Sequence, residues 1–295
     1  ILEPQAVWEA VRGATGLTDD HVDAVAIYQS FLTDIMLYAS AYSTVGNPAV
    51  DGVAGRTGYG SAHPRAPALL HMNRIDFSLN LDLADATHVL SHELGHRWLY
   101  FIDIDNPGGS ADVLRGGGAH PAQYVHTPAA FDVYSDRDSS TMGGAWFEDN
   151  GDGTFTAPDP VGYYGYSWHE LYLMGLAAPG EVEPWYWIQD SDPPLGNAYW
   201  PPAGITVAGT RRNVTIQDVI RRMQPRFPAY PETQKRFKVL FVVLHRPGAP
   251  PSGDQIDLAE QRRRELQSVF LRMTGGRGSL DTRVTPPPRL RGIRR

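Results

Sequence analysis

"THVLSHELGHRWLY", residues 87–100, places His92 and His96 four positions apart, with Glu93 directly after the first. Val89, Leu90, Leu94, Trp98 and Leu99 recur at helical spacing, so residues 84–101 read as an amphipathic helix that buries those five side chains. Asp82 or Asp85 is placed to cap it. Residues four apart on a helix share one face, about 40° apart around the axis. The two imidazoles can therefore grip one ion, and neutral imidazole is a favoured zinc ligand. Glu93 points in an adjacent direction, which suits a base acting on a metal-held water rather than a ligand. The competing reading is an ordinary helix with scattered polar residues. Gly95, an unhelpful residue inside a helix, leaves room for close backbone or substrate approach, or equally for tight packing. His88, one turn earlier on nearly the same face, reads as a buried or supporting histidine.

A catalytic zinc site takes three protein ligands and leaves a position for water. The pattern H-E-x-x-H-x-x-G-x-x-H would need a glycine at 99 and a histidine at 102, where this chain has Leu99 and Ile102. Asp103 lies just past the helix with doubtful reach. Glu170, in "YSWHELYLMGL" (166–176) on a second expected helix over 167–177, is the better candidate. Against this, Ser167 and Glu170 form S-x-x-E, the signature of a residue capping its own helix. His169, His120, His126 and Asp132 remain the other candidates. An oxyanion formed during hydrolysis needs a second electrophile. Tyr163, Tyr164, Tyr166, His120 and His126 are considered for it, with Tyr166 and His126 assigned.

Outside these motifs the chain is unremarkable in bulk. It has 295 residues, 42% of them hydrophobic, enough for a sizeable core. The net charge of −7 argues against a nucleic-acid binder, which needs a basic surface. Absent cysteines exclude disulfides, a thiol nucleophile and cysteine-ligated metal. No apolar run is long enough to span a membrane. The chain opens abruptly at Ile1 with no leader-like segment in view, which fits a mature or a trimmed form.

Strands are expected at 23–31 and 68–77, with 68–75 read as the edge strand of a substrate cleft or else as an interior strand with no exposed edge, and short ones at 205–207 and 214–216. Helices are expected at 3–12, 216–223 and 257–273. Residues 33–42 and 235–245 fit helix or strand. Thr44–Pro67 and 103–165 read as long irregular stretches, a length usual for functional or ligand-organised loops. The Arg262–Arg264 run reads as a solvated face. "EDNGDGTF" (148–155) resembles a calcium loop, but begins with Glu148 and has Asp159 where the twelfth-position glutamate belongs. A hairpin turning at Asn150-Gly151 is preferred, and Ca2+ is kept as a second possible ion. One composite domain is expected over 1–295: an N-terminal lobe of about 1–105, a C-terminal lobe of about 106–275, and an extended tail at 276–295.

"HELGHRW", followed by "SSTMGGAWF", "DGTF" and "YSWHELYLMGLAAPGEV", resembles a group of secreted bacterial zinc metallopeptidases of the zincin fold. The likeness runs from about Asp23 to the mid-200s. It implies an α+β, zincin-like fold: a mixed sheet, an active-site helix and a mostly helical C-terminal lobe. It implies Zn2+ held by His92, His96 and Glu170, with Glu93 as the base. Met142 in "SSTMGG" invites comparison with the methionine turn under some zinc sites, or is simply a buried turn residue. The branch with a glutamate third ligand carries an aspartate four residues after it, where this chain has Met174. The expectation is a secreted, monomeric zinc endopeptidase acting on a protein or peptide, without nucleic-acid or membrane partners. The alternative is a zinc-containing adhesion or binding module on the same scaffold that does not turn over.

Overall fold

The computed structural model describes residues 4–31, 40–42, 67–76, 83–100, 102–104, 114–115, 119–194, 196 and 198–284. Its centre is a five-stranded sheet made from both ends of the chain. The strands are β1 (Ala24–Gln29), β2 (Ser40–Tyr42), β3 (Ala68–Arg74), β13 (Arg236–Leu244) and β14 (Ser279–Asp281), in the order β14-β13-β1-β3-β2. β1 runs parallel to both β3 and β13, and β13 parallel to β14; only β2 is antiparallel, against β3. Parallel strands are covered on both faces, and so read as unbroken apolar runs such as "AVAIYQ". Ala24, Ala26 and Tyr28 face the main core, with α2 (Leu83–Gly95) and α5 (Gly253–Met273), which pack on each other. Val25 and Ile27 face the opposite way, onto Val7 and Trp8 of α1 (Pro4–Thr15).

A second five-stranded sheet stands beside this layer. It is built from β6 (Val125–His126), β8 (Glu148–Asp149), β9 (Thr154–Thr156), β11 (Trp185–Asp192) and β12 (Thr206–Val214), in the order β6-β11-β12-β9-β8. Its pairings are antiparallel and β11 alternates as such a strand should. Trp185 and Trp187 enter the main core, while Tyr186 and Ile188 join a smaller one around Phe147, Phe155 and Val207. Two short ribbons complete the strands: β4 (Leu114–Arg115) against β5 (His120–Pro121), and β7 (Asp138–Ser140) against β10 (Gly162–Gly165). The remaining helices are α3 (Trp168–Met174) and α4 (Ile216–Met223).

The architecture is mixed α and β, and departs from expectation in several places. The C-terminal part is not mostly helical: it supplies β13 and β14 to the central sheet and most of the second sheet. A boundary at about residue 105 thus cuts through one sheet. Residues 235–245 resolve as strand, because β13 lies in the sheet interior beside β1. The expected short strands around 206 and 214 are one strand, continuous along β11. β3 is not an edge, since β1 and β2 flank it; among the described residues β2 ends the sheet. Within the Arg262–Arg264 run only Arg264 is solvated. Arg262 is buried 5.4 Å over the Tyr28 ring, and Arg263 is buried with Glu260 and Thr282. The 148–155 stretch is the hairpin, with Gly151 and Gly153 at positive φ. Its Asp149 and Asp152 carboxylates are engaged by Arg211, the Gly151 N–H and Thr154. Most of 33–42, nearly all of Thr44–Pro67, the capping Asp82, the side chain of Asp85 and the tail beyond 284 lie outside the described residues.

Candidate metal centre

α2 holds its histidines where the sequence places them, and buries Leu90, Leu94, Trp98 and Leu99 beneath them. Regular helix ends at Gly95, and His96 sits in the following turn, its N–H still directed at the His92 carbonyl. A Cβ at position 95 would lie 2.5 Å from the Met142 sulfur. Gly95 therefore serves tight packing: it lets the fully buried Met142 slide under the histidine helix.

Each helix histidine is pinned by its inner nitrogen. His92 Nδ1 lies 2.6 Å from the Thr141 carbonyl and His96 Nδ1 lies 3.1 Å from the Leu99 carbonyl. A carbonyl only accepts, so both Nδ1 atoms carry the proton and both Nε2 atoms present bare lone pairs. Those Nε2 atoms are 3.2 Å apart, and His120 Nε2, brought in by β5, lies 3.1 Å from that of His92. Burial holds His92 down to about 4 and His120, also facing His92, to about 3; His96 is pushed well below its ordinary value, first by burial. All three rings are neutral at neutral pH.

His92 and His96 thus turn two bare nitrogens toward one point, and His120 Nε2 is the third ring nitrogen directed there. Tetrahedral zinc with Zn–N of about 2.0–2.1 Å spaces its ligand nitrogens by about 3.3–3.4 Å, close to the separations seen. His92, His96 and His120 form the one group of three or more potential ligands found among the described residues, and it is compatible with a bound metal ion. The carbonyl contacts of His92 and His96 are the outer support such ligands usually have.

Aromatic side chains wall the cluster. Tyr199 stacks on His120 with centroids 4.0 Å apart, and Trp200 lies 5.7 Å from His92 and 5.2 Å from Tyr163. Gly144 N–H bonds the Tyr199 carbonyl at 2.8 Å, tying this segment to the Met142 turn. His88 is not part of the cluster; its Nδ1 meets the Thr141 hydroxyl at 2.8 Å.

Glu170, expected as third ligand, is not among the converging groups. One carboxylate oxygen accepts from the Ser140 hydroxyl at 2.6 Å and the other from the Ser167 N–H at 2.7 Å, the capping contact its S-x-x-E motif allows. Tyr166, expected to face the reaction, is fully buried and donates to the Ser91 carbonyl at 2.7 Å. His126, assigned the same role, stacks on Tyr186 at 4.4 Å, and its Nδ1 accepts the Phe147 N–H. His169 meets Tyr100, Asp132 is exposed, and Asp103 pairs with Arg222. Glu93 is buried on α2 beside His92 and is not one of the three converging donors.

His120 was only one of several histidine candidates in the sequence. It follows "RGGG" and precedes a proline, and nothing local separates it from His126. Ser140 and Thr141 lie within "SSTMGGAWF", but their roles, a hydroxyl on Glu170 and a carbonyl on His92, and the ring of Tyr199 depend on the fold. The chain matches no family model, no curated protein sequence and no solved structure.

Proposed function

We propose that the chain is a zinc-dependent peptidase whose metal is held by His92, His96 and His120. The observation that carries the reading is the convergence of the His92, His96 and His120 Nε2 atoms, two of them with bare lone pairs, beside the helix that carries Glu93. Bound there, zinc would act as a Lewis acid on water and on the scissile carbonyl. Glu93 takes the proton from the attacking water and returns it to the amine nitrogen as the C–N bond breaks. His92 and His96, each held at Nδ1 by a carbonyl, would keep their lone pairs directed at the ion. β2, the antiparallel strand that ends the central sheet among the described residues and touches α2, offers backbone groups along which an extended peptide can pair.

The test compares native protein with Glu93→Gln on unfolded casein and on mixed peptides, with zinc measured in both. The variant is expected to keep one zinc and lose about 10²–10⁴-fold in rate, the usual worth of a general base. Equal rates in the two proteins would end the peptidase reading. A native protein that binds zinc and cleaves nothing would leave the non-catalytic binding module in its place.

A further inference from the structure

We propose that Glu170 is a positioning residue for the histidine cluster, acting through Ser140 on the Thr141–Met142 peptide that holds His92. This inference rests on the metal reading above. Ser140 Oγ donates to Glu170 Oε1 at 2.6 Å and accepts the Met142 N–H at 2.9 Å. That N–H belongs to the same peptide unit as the Thr141 carbonyl, which takes the His92 Nδ1–H at 2.6 Å. One continuous line therefore joins carboxylate, hydroxyl, peptide plane and imidazole. The Thr141 N–H is fixed to the Gly165 carbonyl at 2.8 Å, so the preceding peptide is clamped as well.

Capping alone does not account for this arrangement. Glu181, in the 3-10 turn Pro179–Glu181, and Asp218, in α4, make the same reach-back to the residue before their helical segment, and both do so half exposed. Glu170 is 0% exposed and spends its second oxygen on Ser140. Burying a carboxylate is costly unless its oxygens are satisfied. A chain of hydrogen bonds starting at a carboxylate polarises each member. Here the polarisation ends at the His92 ring and makes its Nε2 a better donor. Metal-bound histidines commonly have a carboxylate behind them; in this chain the carboxylate is relayed through a hydroxyl and a peptide.

Zinc affinity is measured by competition with a chromogenic chelator, and the His92 Nδ1–H by proton and nitrogen NMR in the metal-free protein. Glu170→Gln and Ser140→Ala are expected to lose about tenfold or more in affinity and to shift the His92 Nδ1–H resonance upfield. Ser140→Thr, which keeps the hydroxyl, is expected to restore both. Thr215→Ala weakens the α4 cap, where the Thr215 hydroxyl bonds Asp218, away from the relay; it should lower the melting temperature and leave affinity and resonance unchanged. Folded Glu170→Gln and Ser140→Ala proteins with native affinity and a native His92 resonance would overturn the proposal. Should Glu170→Gln not fold, the Ser140→Ala and Ser140→Thr pair decides. A native protein that binds no zinc removes the metal reading, and the His92 resonance still decides the positioning.

Discussion

Tyr166 reaches 2.7 Å to the Ser91 carbonyl, one residue before His92, from a fully buried position against Phe270. Its proximity to the motif in sequence suggested chemistry; its hydrogen bond makes it a brace for the histidine helix. Burial and the charge of Glu170 both raise its hydroxyl pKa, so it stays protonated and donating. Tyr166→Phe is expected to cost about 0.5–1.5 kcal/mol of stability, one ordinary hydrogen bond, and to leave peptide cleavage within a few-fold of native. Urea unfolding and a rate measurement check the two parts separately; a loss of rate approaching that of Glu93→Gln would return Tyr166 to the reaction. At this scale the sequence was a good guide to α2 and the turn after it, where spacing alone puts His92, Glu93 and His96 together. It was a poor guide to the third ligand, because His120 arrives through a two-residue ribbon whose pairing no local pattern announces.

The elements whose periodicity is strong are where sequence expected them: α2, α3, α4, α5, β1 and β3. What failed was the reading of segments by their local composition. "GSLDT" (278–282) sits among Arg, Gly and Pro, and reads as a tail, yet β14 pairs parallel with β13 and buries Leu280 against the core. Leu280→Ala is expected to cost about 2–5 kcal/mol, the range for emptying a core leucine site, in an equilibrium urea titration. A change below about 0.5 kcal/mol, typical of surface sites, would mean that β14 does not hold the sheet. The Arg262–Arg264 run misled for a related reason. Three consecutive helical residues point in three directions, so a charged run need not share one environment. Arg262 covers Tyr28, and burial of that ring first of all pushes its hydroxyl up to about 12.

At the scale of the whole molecule, several of the described histidines are titrated out of their ordinary range by burial. Burial first, then neighbouring charge, holds His88, His126 and His169 each down to about 3, against about 6.5 in an unfolded chain. Between those values the unfolded chain takes up protons that the fold refuses. The stability these rings contribute is present above about pH 6.5 and is lost as pH falls toward 3. Glu170, pushed up to about 7 by burial, runs the other way: its contribution falls as pH rises from the ordinary carboxylate range to about 7. Three histidines outweigh one carboxyl, so the urea midpoint of metal-free protein is expected to drop between about pH 7 and pH 5. A flat or rising midpoint over that range would mean these rings are not held neutral. Among the described residues no helix is long and apolar enough to cross a membrane. The fold's closure is also a whole-molecule property: β1 near the start and β13 near the end are paired along their length, a long-range contact that no window of sequence contains.

The most direct test of the metal centre is an anomalous difference map from crystals of zinc-loaded protein, collected on both sides of the zinc absorption edge. A single peak bonded to His92 Nε2, His96 Nε2 and His120 Nε2 is expected, with Glu170 still on Ser140 and Ser167. A peak ligated by Glu170 in place of His120, or no peak between the histidines at full zinc loading, would contradict it.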